Sequence, residues 1–78
     1  MTAMEAMALA NVFFQEQLGC SAATLMDADT HWLGFSDRAD EVGGYGVKID
    51  KQTGAVERFI LPDAQNFALL NRAVRVEL

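Results

Sequence analysis

Residues 45–61 read Tyr-Gly-Val-Lys-Ile-Asp-Lys-Gln-Thr-Gly-Ala-Val-Glu-Arg-Phe-Ile-Leu, and strand alternation, turn chemistry and cross-strand pairing all agree on one β-hairpin. A four-residue loop of Lys51, Gln52, Thr53 and Gly54, with Gly54 left-handed, sets Asp50 opposite Ala55. Ile49 then opposes Val56, Lys48 opposes Glu57, and Gly46 falls opposite Phe59, whose ring covers the bare glycine. Tyr45, Val47 and Ile49 share one face with Val56 and Ile60, while Lys48, Asp50 and Glu57 share the other. A slip of one residue would turn the apolar set outward, so the pattern specifies its own register.

Working outward, Thr2 and Glu5 have the spacing of a capping box, and residues 3–18 contain no proline or glycine before Gly19. The spacing predicts a helix with Ala3, Met7, Ala10, Phe14 and Leu18 in one apolar stripe flanked by Ala6, Leu9 and Phe13. Glu5, Asn11, Gln15 and Glu16 gather opposite, and Met4 and Val12 project among them as candidates for contact with another chain. Two strands are expected around the turn Asp27-Ala28-Asp29, the second carrying Trp32, Leu33 and Phe35. Residues 36–44 read as an acidic, glycine-containing connection. After the hairpin, Pro62 and Asp63 signal a short helix with Ala64, Phe67 and Leu70 on one face. Val74, Val76 and Leu78 then alternate with Arg75 and Glu77 as a final strand, with one face buried and an edge able to join the sheet of a second copy. The fold class is α+β: an N-terminal helix packed on an antiparallel sheet of four to five strands, with a short second helix before the last strand and the helices on one face.

The 78 residues make one domain, 1–78, whose core is small for its surface. One cysteine, Cys20, and one histidine, His31, exclude an internal disulfide and a structural zinc site, while 51% of the residues are hydrophobic, so a homodimer is the expected route to stability. Charged and amide residues interrupt the first helix, which argues against a signal peptide or a membrane span; a lone thiol fits the cytoplasm. The net charge is −5, with Asp27, Asp29, Asp37, Asp40 and Glu41 against Arg38 giving −4 over residues 27–41. Such a surface repels nucleic acid and favours a basic protein partner.

Chemistry-bearing motifs are sparse. Asp27-x-Asp29-x-His31 has neither the glycine nor the ligand count of a calcium loop, and a solvated turn is the expectation there. Ser21, Ser36 and Cys20 lack a neighbouring base, and Gly43-Gly44-Tyr45-Gly46 precedes a strand instead of opening a helix, so neither a nucleophile nor a phosphate loop is expected. No cofactor or metal is implied.

The succession of N-terminal helix, tryptophan strand, Gly-Gly connection and Val47-Lys48-Ile49-Asp50-Lys51-Gln52-Thr53-Gly54-Ala55-Val56 resembles small bacterial immunity proteins of polymorphic toxin systems, of the immunity protein 35 type, over residues 3–60. The same hairpin pattern occurs in PepSY-like and other cystatin-like α+β modules. The resemblance implies a cytoplasmic protein that neutralises a toxin by binding it, without catalysis; this chain adds a helix and strand beyond Pro62. The expectation is therefore a non-enzymatic binding protein, an inhibitor of a basic protein, with Asp27, Asp29, Asp37, Asp40 and Glu41 as the acidic surface and Trp32 or Tyr45 as apolar anchor. The alternative is a small-molecule-binding module with Phe13, Phe14, Trp32 and Phe59 lining a cavity, or a structural dimer module encoded by a mobile genetic element.

Overall fold

The computed structural model describes residues 1–36, 46–59 and 64–77, the side chain of Leu18 excepted. The expectations for residues 36–44 beyond Ser36, and those for Tyr45, Ile60, Pro62, Asp63 and Leu78, lie outside the described residues. The order is α1 (Ala3–Leu18), β1 (Ala22–Asp27), β2 (His31–Ser36), β3 (Gly46–Asp50), β4 (Val56–Phe59), α2 (Ala64–Arg72) and β5 (Val74–Arg75). The strands form one five-stranded sheet in the order β4-β3-β2-β1-β5, with antiparallel pairings throughout.

The β3–β4 hairpin has the register read from its sequence. Ile49 pairs with Val56, Lys48 with Glu57 and Gly46 with Phe59, and Asp50 and Ala55 close a loop in which Gly54 sits at φ 75°. A Cβ added to Gly46 would lie 3.2 Å from Phe59 Cβ and 3.3 Å from its ring, so the ring does cover the glycine.

α1 begins with the full capping box: Thr2 Oγ1 accepts from Glu5 N–H, and Glu5 Oε1 accepts from Thr2 N–H. It ends at Gly19, left-handed at φ 66°, with Cys20 N–H donating to Phe14 O. Ala6, Ala10 and Phe14 form its buried line, with Ala3, Met7 and Phe13 on the flanks. The face is turned from the expected one toward Ala6 and Phe13, and Leu9 is left exposed. Two polar side chains tie α1 to the start of β1: Asn11 Oδ1 accepts from Ala22 N–H at 3.1 Å, and Gln15 Nε2 donates to Ser21 Oγ at 2.8 Å.

The helices cover opposite faces of the sheet, which corrects the expectation of a single covered face. Alternation along β2 is the reason. Trp32 joins Leu25, Val47 and Ile49 beneath α1, whereas Leu33 and Phe35 point the other way, joining Phe59, Leu69 and Ala28. That second apolar set needs its own cover, and α2 supplies it. α2 buries Asn66 and Leu69, while Ala64 and Phe67 are exposed, so its buried face differs from the one predicted. Lys48, on the α2 side of the hairpin, donates to Asn66 Oδ1 at 3.1 Å, which brings a polar residue into the interface. β5 is shorter than expected and pairs with β1 of its own chain through Met26 and Asp27; Val76 packs under α1, but Val74 is 67% exposed.

Gly34, at the middle of β2, sets how closely α1 lies on the sheet. A Cβ there would stand 2.9 Å from Ala10 Cβ and 2.9 Å from Val47 Cγ1, closer than carbon atoms approach. Gly34→Ala is expected to force α1 outward and lower stability by about 1–3 kcal/mol, read as a fall in the urea midpoint. An unchanged midpoint would show that the helix is not seated on this residue.

Candidate functional site

Asp27, Asp29 and Trp32, the described residues of the expected partner surface, gather where the β1–β2 and β3–β4 loops meet. Their local geometry follows from Asp27, the last residue of β1 and the partner of Trp32. Asp27 Oδ1 accepts from Asp29 N–H at 2.9 Å, an Asx-type turn. Thr30 N–H then donates to Ala28 O across Asp29, which lies at φ 70°, so a tight three-residue γ-turn reverses the chain. Thr30 O in turn accepts from Lys51 N–H at 3.1 Å and joins the two loops.

Lys51 is the hub. Its Nζ lies 2.6 Å from Asp27 Oδ1 and 4.4 Å from the centre of the Trp32 ring, a hydrogen-bonded ion pair seated on a cation–π contact. Trp32 is only 9% exposed, and its indole Nε1 is buried without an acceptor among the described residues. Trp32 therefore serves the core and is covered by Lys51. Asp27 is likewise committed to a cation of its own chain. Asp29 is exposed. Asp37, Asp40, Glu41 and Tyr45 lie outside the described residues.

The Asp27-x-Asp29-x-His31 motif does not converge. Asp27 shares the α1 face with Trp32, its partner across the ladder; His31 is paired with Asp50 and sits one residue out of phase, on the other face. Among the described residues no three His, Cys, Asp or Glu side chains come together as metal ligands. His31 Nδ1 is 2.8 Å from Thr30 Oγ1, but Nε2 is 3.8 Å from Asp50 Oδ2, too long for the hydrogen bond that orients a general base. Asp50 Oδ1 instead accepts from Gln52 and Thr53 N–H at 2.7 and 3.1 Å, which shapes the hairpin loop.

The four aromatics read as possible pocket lining are divided. Phe13, Phe14 and Trp32 pack in the core beneath α1, and Phe59 lies across the sheet, edge-on to Phe35 with ring centres 5.9 Å apart. The grooves among the described residues are open clefts elsewhere. One of about 510 Å³ runs between Met7, β1 and the chain from Arg75 to Glu77, with Thr24 and Val76 in its lining.

A different surface was read only in part from the sequence, which offered Val12 and Met4 as contact candidates but not Leu9. Glu5, Leu9, Val12 and Glu16 recur at i, i+4, i+7 and i+11, so they form one stripe on the outer side of α1. All four are exposed, Val12 by 52%. Two apolar residues thus lie between carboxylates about 16 Å apart along the axis. No Lys or Arg occurs before residue 38, so no cation of α1 offsets them. The signal was present as period 3.6 on the polar side, but Leu9 counted toward the core stripe. Searches against protein families, curated proteins and solved structures found no match to this chain.

Among the described residues, three carboxylates are held below their usual range. For Asp27 the chief cause is the Lys51 hydrogen bond, then the Asp29 amide; for Asp50, the Thr53 and Gln52 amides; for Glu5, the Thr2 amide followed by its hydroxyl. A depressed folded-state pKa adds stability that is present above the unfolded value and lost as pH falls through the folded one. Urea stability should therefore hold down to about pH 5 and fall below about pH 4. Asp27→Asn should make that acid decline shallower, and an identical decline in the variant would remove the Asp27–Lys51 pair as a contributor. At the γ-turn, Asp29→Ala should cost about 1 kcal/mol and Asp29→Gly nothing; equal losses in the two variants would mean that φ at this position carries no strain.

Proposed function

We propose that this chain is a non-catalytic binding module for a basic protein, acting as an immunity- or antitoxin-like inhibitor of that partner. The observation that carries the reading is the outer face of α1, where Leu9 and Val12 stand exposed between Glu5 and Glu16 with no cation on the helix. A partner that lays apolar side chains on Leu9 and Val12 and brings Lys or Arg to each carboxylate fits this face in both shape and charge. Asp29 adds exposed negative charge at the loop end. The anchors are thus aliphatic residues of α1, in place of Trp32, and the mechanism is steering by charge followed by burial of a small apolar centre. The partner's basic site is blocked by occupation, and no bond is made or broken.

The test is retention of a basic protein from lysate at low salt by the immobilised chain, with two variants run beside it. Glu5→Gln/Glu16→Gln keeps the capping box, because glutamine also serves at that position, and should weaken retention about three- to tenfold. Leu9→Ser/Val12→Ser should weaken it further. A basic protein released by rising salt and lost in both variants supports the reading. Retention that is indifferent to both variants, or no basic protein retained at all, rejects it.

A further inference from the structure

We infer that two copies of the chain join through the outer edge of β5 and the residues that continue it to Glu77, with Val76 of each on the twofold axis. In an antiparallel pair of identical strands, facing residues share a sheet face, so one residue must always face its own copy. The flanking charges therefore decide which register is allowed. On β5, an axis through Arg75 sets arginine against arginine. An axis through Val76 sets Arg75 of each copy opposite Glu77 of the other, two ion pairs from one symmetry operation. At the other edge of the sheet, β4 reads Val56-Glu57-Arg58-Phe59, and an axis through Glu57 or Arg58 places like charges face to face. An axis through Val56 would set Glu57 opposite Ala55, so β4 offers no reciprocal ion pair to its own copy, whereas β5 and its continuation to Glu77 offer two.

The backbone has the matching phase. Val76 N–H donates inward to Leu25 O at 2.9 Å, so the N–H and C=O groups of the alternate residues, Arg75 and Glu77, point outward. These are the groups that an Arg75–Glu77 pairing across the axis would bond. β5 is the terminal strand of the sheet, and neither Arg75 nor Glu77 makes an ion pair among the described residues. The apolar surface agrees. Val74 and Met4, 67% and 76% exposed, are the most exposed large hydrophobics among the described residues. Val74 lies on this strand, and Met4 lies on the α1 flank that borders β1, beside Met7 and Ala22. A twofold axis perpendicular to the sheet keeps both α1 helices on one face, so the grooves of the two copies between Met7 and Val76 would face each other across the axis. This surface is separate from the Glu5–Leu9–Val12–Glu16 stripe, so it stands or falls independently of the proposed function.

Sedimentation equilibrium over a wide concentration range tests it. The wild-type chain should reach dimer mass, with slower amide exchange at Arg75 and Glu77 as concentration rises. Arg75→Glu and Glu77→Arg should each weaken dimerisation about tenfold or more, and the double variant Arg75→Glu/Glu77→Arg should recover it, since the pairs re-form with reversed polarity. Recovery by the double variant also separates a lost interface from a lost fold. Monomer mass at every concentration, single variants that dimerise like the wild type, or a double variant no better than the singles would each overturn the inference.

Discussion

The contact on which the rest of this structure depends is the seating of α1 on Gly34. The helix presents Ala6 and Ala10 to the sheet, and β2 answers with a residue that has no side chain, flanked by Leu25 and Val47 in the pairing. This close approach lets Phe14, Leu25, Val47 and Ile49 bury completely in so small a molecule. It also fixes the rotation of α1 about its axis. Once Ala6, Ala10 and Phe14 face inward, Asn11 is at the β1 edge where it can accept from Ala22, and Glu5, Leu9, Val12 and Glu16 must face water. The candidate partner surface is thus a geometric consequence of the core contact.

Charges in the described structure divide by role. Lys48 and Lys51 stitch elements together: Lys48 reaches Asn66 and, at 3.7 Å, Glu57, and Lys51 holds Asp27 over Trp32. These lysines are themselves partly buried, and their contacts link the loops and α2 to the sheet. The carboxylates of α1 pair with no Lys or Arg, and Arg75 on β5 and Glu77 just beyond it have no ion-pair partner among the described residues. Among the described residues, unpaired charge remains on that helix face and that sheet edge, the two places where association is proposed, and also at Asp29, Arg58 and Arg72.

The hairpin was legible because its information is local: period-two alternation, Gly54 for the left-handed turn residue and Gly46 opposite Phe59 all lie within one short segment. The α1 caps and the order of elements were legible for the same reason. The buried faces of the helices were not, because a wide apolar stripe leaves rotation about the axis undetermined until the surface beneath it is known. In α2, Asn66, bonded to Lys48, and Leu69 are buried with Leu70 packed beside them, whereas Ala64 and Phe67 of the expected face are exposed. For the candidate site, the acidity of the first loop was plain, but whether Asp27 was free depended on Lys51, a residue twenty-four positions later.

The sequence by itself determined the α+β class, the hairpin register, the start and stop of α1 and the excess of negative charge, since each rests on residues near one another in the chain. Only the tertiary structure decided that the two helices take opposite faces, that Trp32 is a core residue under Lys51, and that an acid-flanked apolar stripe remains outside. The physical reason is that burial is a property of surfaces brought together. Gly34 admits Ala10, Ala10 sets the turn of the helix, and that turn selects which side chains are left to meet a partner.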